Sequence, residues 1–139
     1  MAVVFHLSIL TPERAWLSRP VVSLQAPGSQ GYLGVLAHHA PLITDLVPGM
    51  LAIRDDSGVQ SVYAVSGGFL EVSRNRATVL ADAVEPVAEI DVERARRARD
   101  RAVERLRGPS KNRDVERAQA ALARALNRLR AADGDRGRS

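Results

Sequence analysis

The chain has no cysteine, few aromatic residues and no long apolar run, and only one of its twenty basic residues, Lys111, is a lysine. Without cysteine, disulfides, thiolate metal sites and cysteine catalysis are excluded. Aromatic residues make up 4% of the chain, so the core must consist of Val, Leu, Ile and Ala. No apolar run reaches about 18 residues and residues 1–5 carry no basic charge, so we expect neither a transmembrane span nor a signal peptide.

Charge divides the chain into two parts. Residues 1–90 contain five basic and eight acidic residues, a net charge of −3. Residues 91–139 contain fifteen basic and eight acidic residues, a net charge of +7. This division predicts a weakly acidic body followed by a strongly basic C-terminal segment.

Residues 1–86 show the period-two alternation of β-strands. At the start of the chain, Phe5, Leu7 and Ile9 alternate with His6 and Ser8, which is the pattern of a half-buried strand. Similar short segments follow, separated by turn signals such as the Asp-Asp-Ser-Gly of residues 55–58. Short strands at this spacing predict an antiparallel β-sandwich over residues 1–86.

After Pro86 the pattern becomes helical. Asp91 and Asp114 each open the same five residues, Asp-Val-Glu-Arg-Ala, and each is predicted to cap the N-terminus of a helix. Gly108 and Pro109 end the first helix. Both helices have an alanine-rich apolar stripe, so we expect two helices of about 16 residues in an antiparallel hairpin over residues 87–139, with a frayed basic tail. The fold class is therefore α+β, with all strands before all helices.

The segment from residue 28 to residue 50 is unusually rich in glycine and proline. Gly28, Gly31 and Gly34 stand within one short stretch beside apolar residues, which predicts positive φ angles or close backbone approach. No Lys-Ser or Lys-Thr follows the glycines, so this is not a phosphate-binding loop of the P-loop type.

Five blocks of sequence resemble the signature of the epsilon subunit of bacterial F-type ATP synthases. They occur in the order and spacing of that family and cover most of the chain. The blocks are residues 31–35 (GYLGV), 39–42 (HAPL), 48–50 (PGM), 66–72 (SGGFLEV) and 79–82 (VLAD). One departure is Tyr32, because many relatives have an acidic residue there, in a loop that faces the membrane rotor.

This resemblance implies a non-catalytic subunit of the central stalk of a proton-translocating ATP synthase. Such a subunit couples the catalytic head to the rotor during ATP synthesis. Its sandwich would bind the gamma subunit and the ring of c subunits through a loop containing Gly31, Tyr32, His39 and Pro41. The complex would hold it at the cytoplasmic face of the bacterial plasma membrane, so its membrane contact would be indirect.

The resemblance also implies that the helical hairpin restrains ATP hydrolysis. The contact would be made by arginines on an acidic surface of the catalytic β subunits: Arg94, Arg97, Arg101, Arg105, Arg117 and Arg128. The simpler interpretation of these arginines is a solvated helix face with ion pairs between residues one turn apart.

Some bacterial relatives bind ATP on the closed hairpin through an Ile/Leu-Asp-x-x-Arg-Ala motif and arginines of the second helix. The resemblance implies a regulatory ATP site here, although no cofactor is required. The matching residues are Glu85, Ile90, Asp91, Arg94, Ala95, Arg124 and Arg128. The alternative is that Asp91 is only a helix cap and the arginines are only surface charges.

Other classes of function have weaker support in the sequence. A basic C-terminal segment also fits a free-standing nucleic-acid-binding module, but residues 91–139 contain no aromatic residue that could stack on bases. Adjacent residues of an extended chain point to opposite sides, so His38 and His39 do not form a metal pair. We find no nucleophile–base or metal-ligand pattern, and therefore expect no catalytic or metal residues.

Overall fold

The computed structural model describes residues 3–108 and 112–136. The chain divides into two compact units, Met1–Pro86 and Val87–Ser139. The change in sequence period after Pro86 coincides with this division, because strands occupy the first unit and helices the second.

The first unit contains the strands, which are short and follow one another closely. They are β1 (Phe5–Leu10), β2 (Ala15–Val21), β3 (Ser23–Gly28), β4 (Gly31–Leu36), β5 (Leu42–Leu46), β6 (Gly49–Arg54), β7 (Gln60–Val65), β8 (Gly68–Ser73), β9 (Arg76–Ala81) and β10 (Val84–Pro86).

The strands form two layers. One layer has the order β10-β7-β6-β3, with β4 also paired to β3, and the other has the order β5-β8-β9-β1-β2. A single residue pair between β3 and β5, Gly28 with Leu46, joins them. All the pairings are antiparallel except that of β1 with β9, which is parallel. The predicted β-sandwich is confirmed, and the parallel pair is an addition to it.

The core lies between the two layers and is mainly aliphatic, as the scarcity of aromatic residues predicts. The residues of β1 predicted to face inward, Phe5, Leu7 and Ile9, are buried. They pack with inward-facing residues of the other strands, among them Leu24, Leu51, Ile53, Leu70 and Val79. Burial of such side chains contributes roughly 25 cal/mol per Å² of apolar surface and is the main stabilising term for this unit.

Two strands were not predicted, β5 and β10. In β5 the apolar Ile43 is exposed, and Thr44 and Asp45 interrupt the apolar pattern. The sequence of β5 therefore lacks the apolar–polar alternation that indicates a strand. β10 has three residues and ends in Pro86, which lacks the N–H that would continue a ladder. Tertiary pairing with β8 and β7 forms these strands.

The second unit contains a short 3₁₀ helix, Val87–Glu89, and two α-helices, α1 (Val92–Arg107) and α2 (Asn112–Arg136). Asp91 caps α1 as predicted, because its Oδ1 accepts a hydrogen bond from the Arg94 amide at 3.1 Å. Gly108 follows the last turn of α1, as predicted. The two helices pack against each other, and the 3₁₀ helix packs against α2.

The second helix differs from its prediction at both ends. It begins at Asn112, so Asp114 lies in its first turn and is not the cap. It continues to Arg136, through the segment predicted to be frayed, because one glycine in a long helix costs only about 1 kcal/mol. Pro109 and the last three residues of the predicted tail, 137–139, lie outside the described residues.

Alanine dominates the contact between the helices, as expected. The buried residues of α1 are Ala95 and Ala102, and those of α2 include Ala118 and Ala125. Leu126 of α2 is 37% exposed. A contact built from such small side chains buries little area per residue, so it stabilises the helix pair only modestly.

Candidate partner surfaces and nucleotide site

Gly31 and Tyr32 lie at the exposed tip of the β3–β4 hairpin. Gly31 has a φ angle of +125°, which an L-residue adopts only with strain. Tyr32 is 53% exposed, and its hydroxyl accepts a hydrogen bond from the Met50 amide at 3.0 Å. A Cβ at Gly49 would collide with Pro27 and the Tyr32 hydroxyl. The absence of a side chain at residue 49 therefore allows the tyrosine to be held at this tip.

His39 and Pro41 lie beyond the other end of β4. Because β4 has six residues, it separates them from the tip by about 20 Å. The His38 amide donates a hydrogen bond to Asn75 Oδ1 at 2.8 Å, and His39 Nδ1 lies 2.6 Å from the Ala40 carbonyl oxygen. The four residues predicted to form one contact loop are thus two separate pairs at opposite ends of a strand.

The sequence did not predict that three exposed apolar side chains lie on the outer face of the β5-β8-β9 layer, where exposed Asp45 and Glu71 also lie. Ile43, Phe69 and Leu80 are 74%, 54% and 48% exposed. Phe69 is opposite Leu80, and Leu80 is opposite Leu10 of β1. We call Ile43, Phe69 and Leu80 the outer apolar face. Adjacent residues in a strand point to opposite sides of the sheet. Because Leu70 is buried, its neighbour Phe69 must lie on the outer face, and this pair of apolar residues is the sequence feature that could have indicated the outer apolar face.

The predicted nucleotide motif lies at the start of α1. Ile90 follows the 3₁₀ helix, and its amide donates a hydrogen bond to the Val87 carbonyl at 3.3 Å. Asp91 and Arg94 are exposed, whereas Ala95 is fully buried in the unit. Asp91 and Arg94 are accessible to a ligand, and Ala95 has a packing role.

The other predicted nucleotide residues lie on α2 and β10. Arg124 and Arg128 are four residues apart on α2, so they share a face. Arg94 precedes the end of α1 by as many residues as residue 125 follows the start of α2. The two helices are antiparallel and have the same rise per residue, so Arg94 lies at about the same height along the helix pair as Arg124 and Arg128. Glu85 belongs to the first unit, where it is half-buried and opposite Ala64.

Four arginines of α1 form an exposed stripe: Arg94, Arg97, Arg101 and Arg105. Their spacing of three and four residues places them on one face of the helix. The ion pairs of the described residues lie outside this stripe and join Arg96 with Glu93 at 2.7 Å and Arg99 with Asp100 at 3.1 Å. The stripe is thus available to an external acidic partner. Arg117 is exposed on α2.

No cluster of three or more metal-ligating side chains occurs within residues 3–108 and 112–136. His38 has a φ angle of +63° and belongs to a turn. Within the same ranges, no helix combines the length and the apolar character needed to cross a membrane.

The described surfaces define a class of protein. A β-sandwich with an exposed apolar face, joined to an arginine-rich pair of helices, presents binding surfaces for other chains. Two family models match and together cover nearly all of the chain. Residues 4–87 match the β-sandwich domain of the ATP synthase delta/epsilon chain, and residues 88–133 match its long α-helix domain.

Individual relatives agree with the family models. The chain is 52% identical over 102 residues to the ATP synthase epsilon chain of Moorella thermoacetica, which covers 73% of this chain and 76% of the relative. It is 46% identical over 110 residues to that of Protochlamydia amoebophila, which covers 79% of this chain and 75% of the relative. The chain therefore belongs to the ATP synthase delta/epsilon family, and its relatives are bacterial epsilon chains.

Solved structures share the fold. A chain of the Euglena gracilis mitochondrial ATP synthase, determined with its c-ring, matches with a TM-score of 0.83 and 25% identity, covering 95% of this chain and 82% of the other. A chain from the central stalk and c-ring of the Tetrahymena thermophila mitochondrial ATP synthase matches with a TM-score of 0.65 and 16% identity, covering 91% and 95%. The second match concerns the fold alone. As an epsilon chain of the ATP synthase central stalk, this protein is part of a membrane-associated complex that makes ATP.

Proposed function

We propose that this chain is a non-catalytic subunit that joins the gamma subunit to the ring of c subunits at the cytoplasmic face of the membrane, and whose helices restrain ATP hydrolysis at the catalytic β subunits. The observation that carries the proposal is the match of both units to both domains of one family. The similarity to bacterial epsilon chains supports it over the nucleic-acid alternative.

The outer apolar face is the surface that we assign to the gamma subunit. Ile43, Phe69 and Leu80 lie on the same side of three neighbouring strands, so one partner surface can cover them together. Aromatic residues are enriched in the buried centres of protein interfaces. Phe69 belongs to β8, which lies between β5 and β9. It is therefore the residue that we expect to contribute most to the binding of the gamma subunit.

The tip of the β3–β4 hairpin is the surface that we assign to the ring of c subunits. Residues 26–44 contain no acidic or basic residue other than His38 and His39. Tyr32 stands where the resemblance implies an acidic residue, and its hydroxyl accepts a hydrogen bond from the Met50 amide. This contact would consequently depend on the tyrosine ring rather than on an ion pair.

Substitution of Phe69 with aspartate should detach the chain from the stalk. Loss of a central aromatic anchor costs about 2 kcal/mol or more, which is roughly a 30-fold loss of affinity. We would tag the chain, capture it from detergent-solubilised membranes and quantify the co-purified gamma subunit. Val59→Asp is the matched control, because Val59 is 57% exposed but lies outside the outer apolar face. Equal recovery of gamma with Phe69→Asp and the wild type would refute this assignment.

We also propose regulatory ATP binding at the level of Arg94, Arg124 and Arg128. Guanidinium groups bind phosphate oxygens with paired hydrogen bonds, and the similar distances of these arginines from the helix connection support their convergence on one ligand. Asp91, at the start of α1, would contribute a carboxylate that can bind the ribose or the base. The arginines thus fit the triphosphate of ATP, which would favour the closed helix pair.

ATP should raise the thermal stability of the isolated chain. A ligand that binds only the folded, closed form stabilises it by about 1.4 kcal/mol at ten times Kd. Arg94→Ala and Arg128→Ala should each abolish the increase in Tm. Arg105→Ala should retain it, because Arg105 lies on the same stripe near the other end of α1. A wild-type Tm that does not respond to millimolar ATP would leave Asp91 as a helix cap only.

A further inference from the structure

We infer that a cleft at the β8–β9 turn binds a phosphate-class oxyanion. The cleft has a volume of about 310 Å³, and its polar lining consists of His6, Arg74, Asn75 and Arg76. Among the described residues that line it, none is acidic. This concentration of basic side chains lies within residues 1–90, whose net charge is negative.

The turn that carries the two arginines is fixed by its own backbone and by Asn75. Arg74 and Asn75 have φ angles of +51° and +60°, as in the tight two-residue turns of β-hairpins. Asn75 Nδ2 donates to the Val4 carbonyl at 3.0 Å, while Asn75 Oδ1 accepts from the His38 amide at 2.8 Å. The His6 amide also donates to the Asn75 carbonyl at 3.2 Å. These bonds anchor the turn without using either guanidinium group.

No carboxylate of the described residues neutralises these two guanidinium groups. In the part of the chain that the structure describes, neither Arg74 nor Arg76 forms an ion pair. The nearest carboxylate along β8 is that of Glu71, which is paired across the sheet with Thr78, two residue pairs away from the Ser73–Arg76 pair. Both arginines are exposed, so their donors can reach an incoming anion.

His6 adds a third nitrogen-bearing side chain to the cleft. It is the β1 residue opposite Arg76, and its imidazole is oriented by a 2.9 Å hydrogen bond between Nε2 and Ser18 Oγ. Two planar guanidinium groups beside an imidazole match the several acceptor oxygens of a tetrahedral oxyanion. The chemical class of ligand is therefore inorganic phosphate or the phosphoryl group of a small molecule.

The test is a nuclear magnetic resonance titration of the full-length chain with inorganic phosphate, in which sodium chloride keeps the ionic strength constant. We expect saturable shifts of the His6, Asn75 and Arg76 amide signals. The double variant Arg74→Gln/Arg76→Gln should weaken binding on the order of tenfold or more, because the charged donors are lost. Well-dispersed spectra of the variant would show that the sandwich is still folded.

Arg54→Gln is the control for a general loss of positive charge, since Arg54 is exposed on β6 in the other layer. It should bind phosphate as the wild type does. The inference is overturned if the cleft signals do not saturate, if they respond equally to chloride, or if the double variant retains them. Shifts confined to α1 and α2 would also overturn it, because they would show that phosphate binds only the basic helices.

Discussion

Replacing Arg94, Arg97, Arg101 and Arg105 with glutamine should raise ATP hydrolysis by the assembled ATP synthase. The four residues form the exposed stripe of α1 and have no ion-pair partner among the described residues. Exposed charge pairs contribute about 0.2–1 kcal/mol each, so four lost contacts would sum to on the order of 2 kcal/mol. Such a change would shift the ratio of inhibited to active complexes by roughly 30-fold.

Two double variants with the same change in net charge separate a specific contact from a general field. Arg97→Gln/Arg101→Gln removes two charges of the stripe. Arg96→Gln/Arg99→Gln removes two that are already paired with Glu93 and Asp100. We expect the first to raise hydrolysis more than the second, and added salt to reduce the difference, because salt screens exposed charges. If the quadruple variant stays as inhibited as the wild type, the bulk of the helices and not their charge blocks the catalytic head.

Gly68→Ala should destabilise the sandwich by about 3 kcal/mol or more. Gly68 has a φ angle of +137°, in a region that is almost restricted to glycine. A Cβ there would overlap the Leu80 carbonyl oxygen and would lie 2.8 Å from the Ala81 Cα. Both obstacles are backbone atoms of the paired strand β9, so they can move away only if the β8–β9 ladder is disrupted.

Urea unfolding followed by circular dichroism measures this effect. Gly34→Ala is the matched control, because it adds the same methyl group in strand β4 where no atom lies within 4 Å. Its stability should stay within about 1 kcal/mol of the wild type. If Gly68→Ala unfolds at the same urea concentration as Gly34→Ala, the close approach of β8 and β9 at residue 68 is not a feature of the folded protein.

Much of the fold could be predicted from the sequence because local chemistry determines it. Side-chain alternation identifies β1, and the carboxylate of Asp91 identifies the start of α1. Asp55 likewise accepts hydrogen bonds from the Ser57 and Val59 amides, as the predicted turn requires. At each of these positions, the residue whose type predicts the local structure also makes the hydrogen bond or apolar contact that stabilises it.

The missed features depend on residues that are distant in sequence. β5 forms because β8 lies beside it, and the outer apolar face becomes visible only when β5, β8 and β9 are aligned. Gly28 and Gly34 were both expected to need positive φ angles or close backbone approach. A Cβ at Gly28 would indeed meet Leu33 and Gly31, whereas a Cβ at Gly34 would have open space. Glycine content alone does not separate these two situations.

The candidate sites were predicted in part for the same reason. The spacing of Arg94, Arg97, Arg101 and Arg105 is a property of one helix, so it could be read directly. The separation of Tyr32 from His39 follows from β4, which lies between them and extends over six residues. The cleft at Arg74 and Arg76 depends on the parallel pairing of β1 with β9, which no local pattern indicates.

The most direct test of the central claim is to capture the tagged wild-type chain from detergent-solubilised membranes and to identify what co-purifies. We expect the catalytic and stalk subunits of an ATP synthase in fixed proportion to the chain, with the c-ring retained and nucleic acid absent. Recovery of nucleic acid without ATP synthase subunits would contradict the assignment to the central stalk.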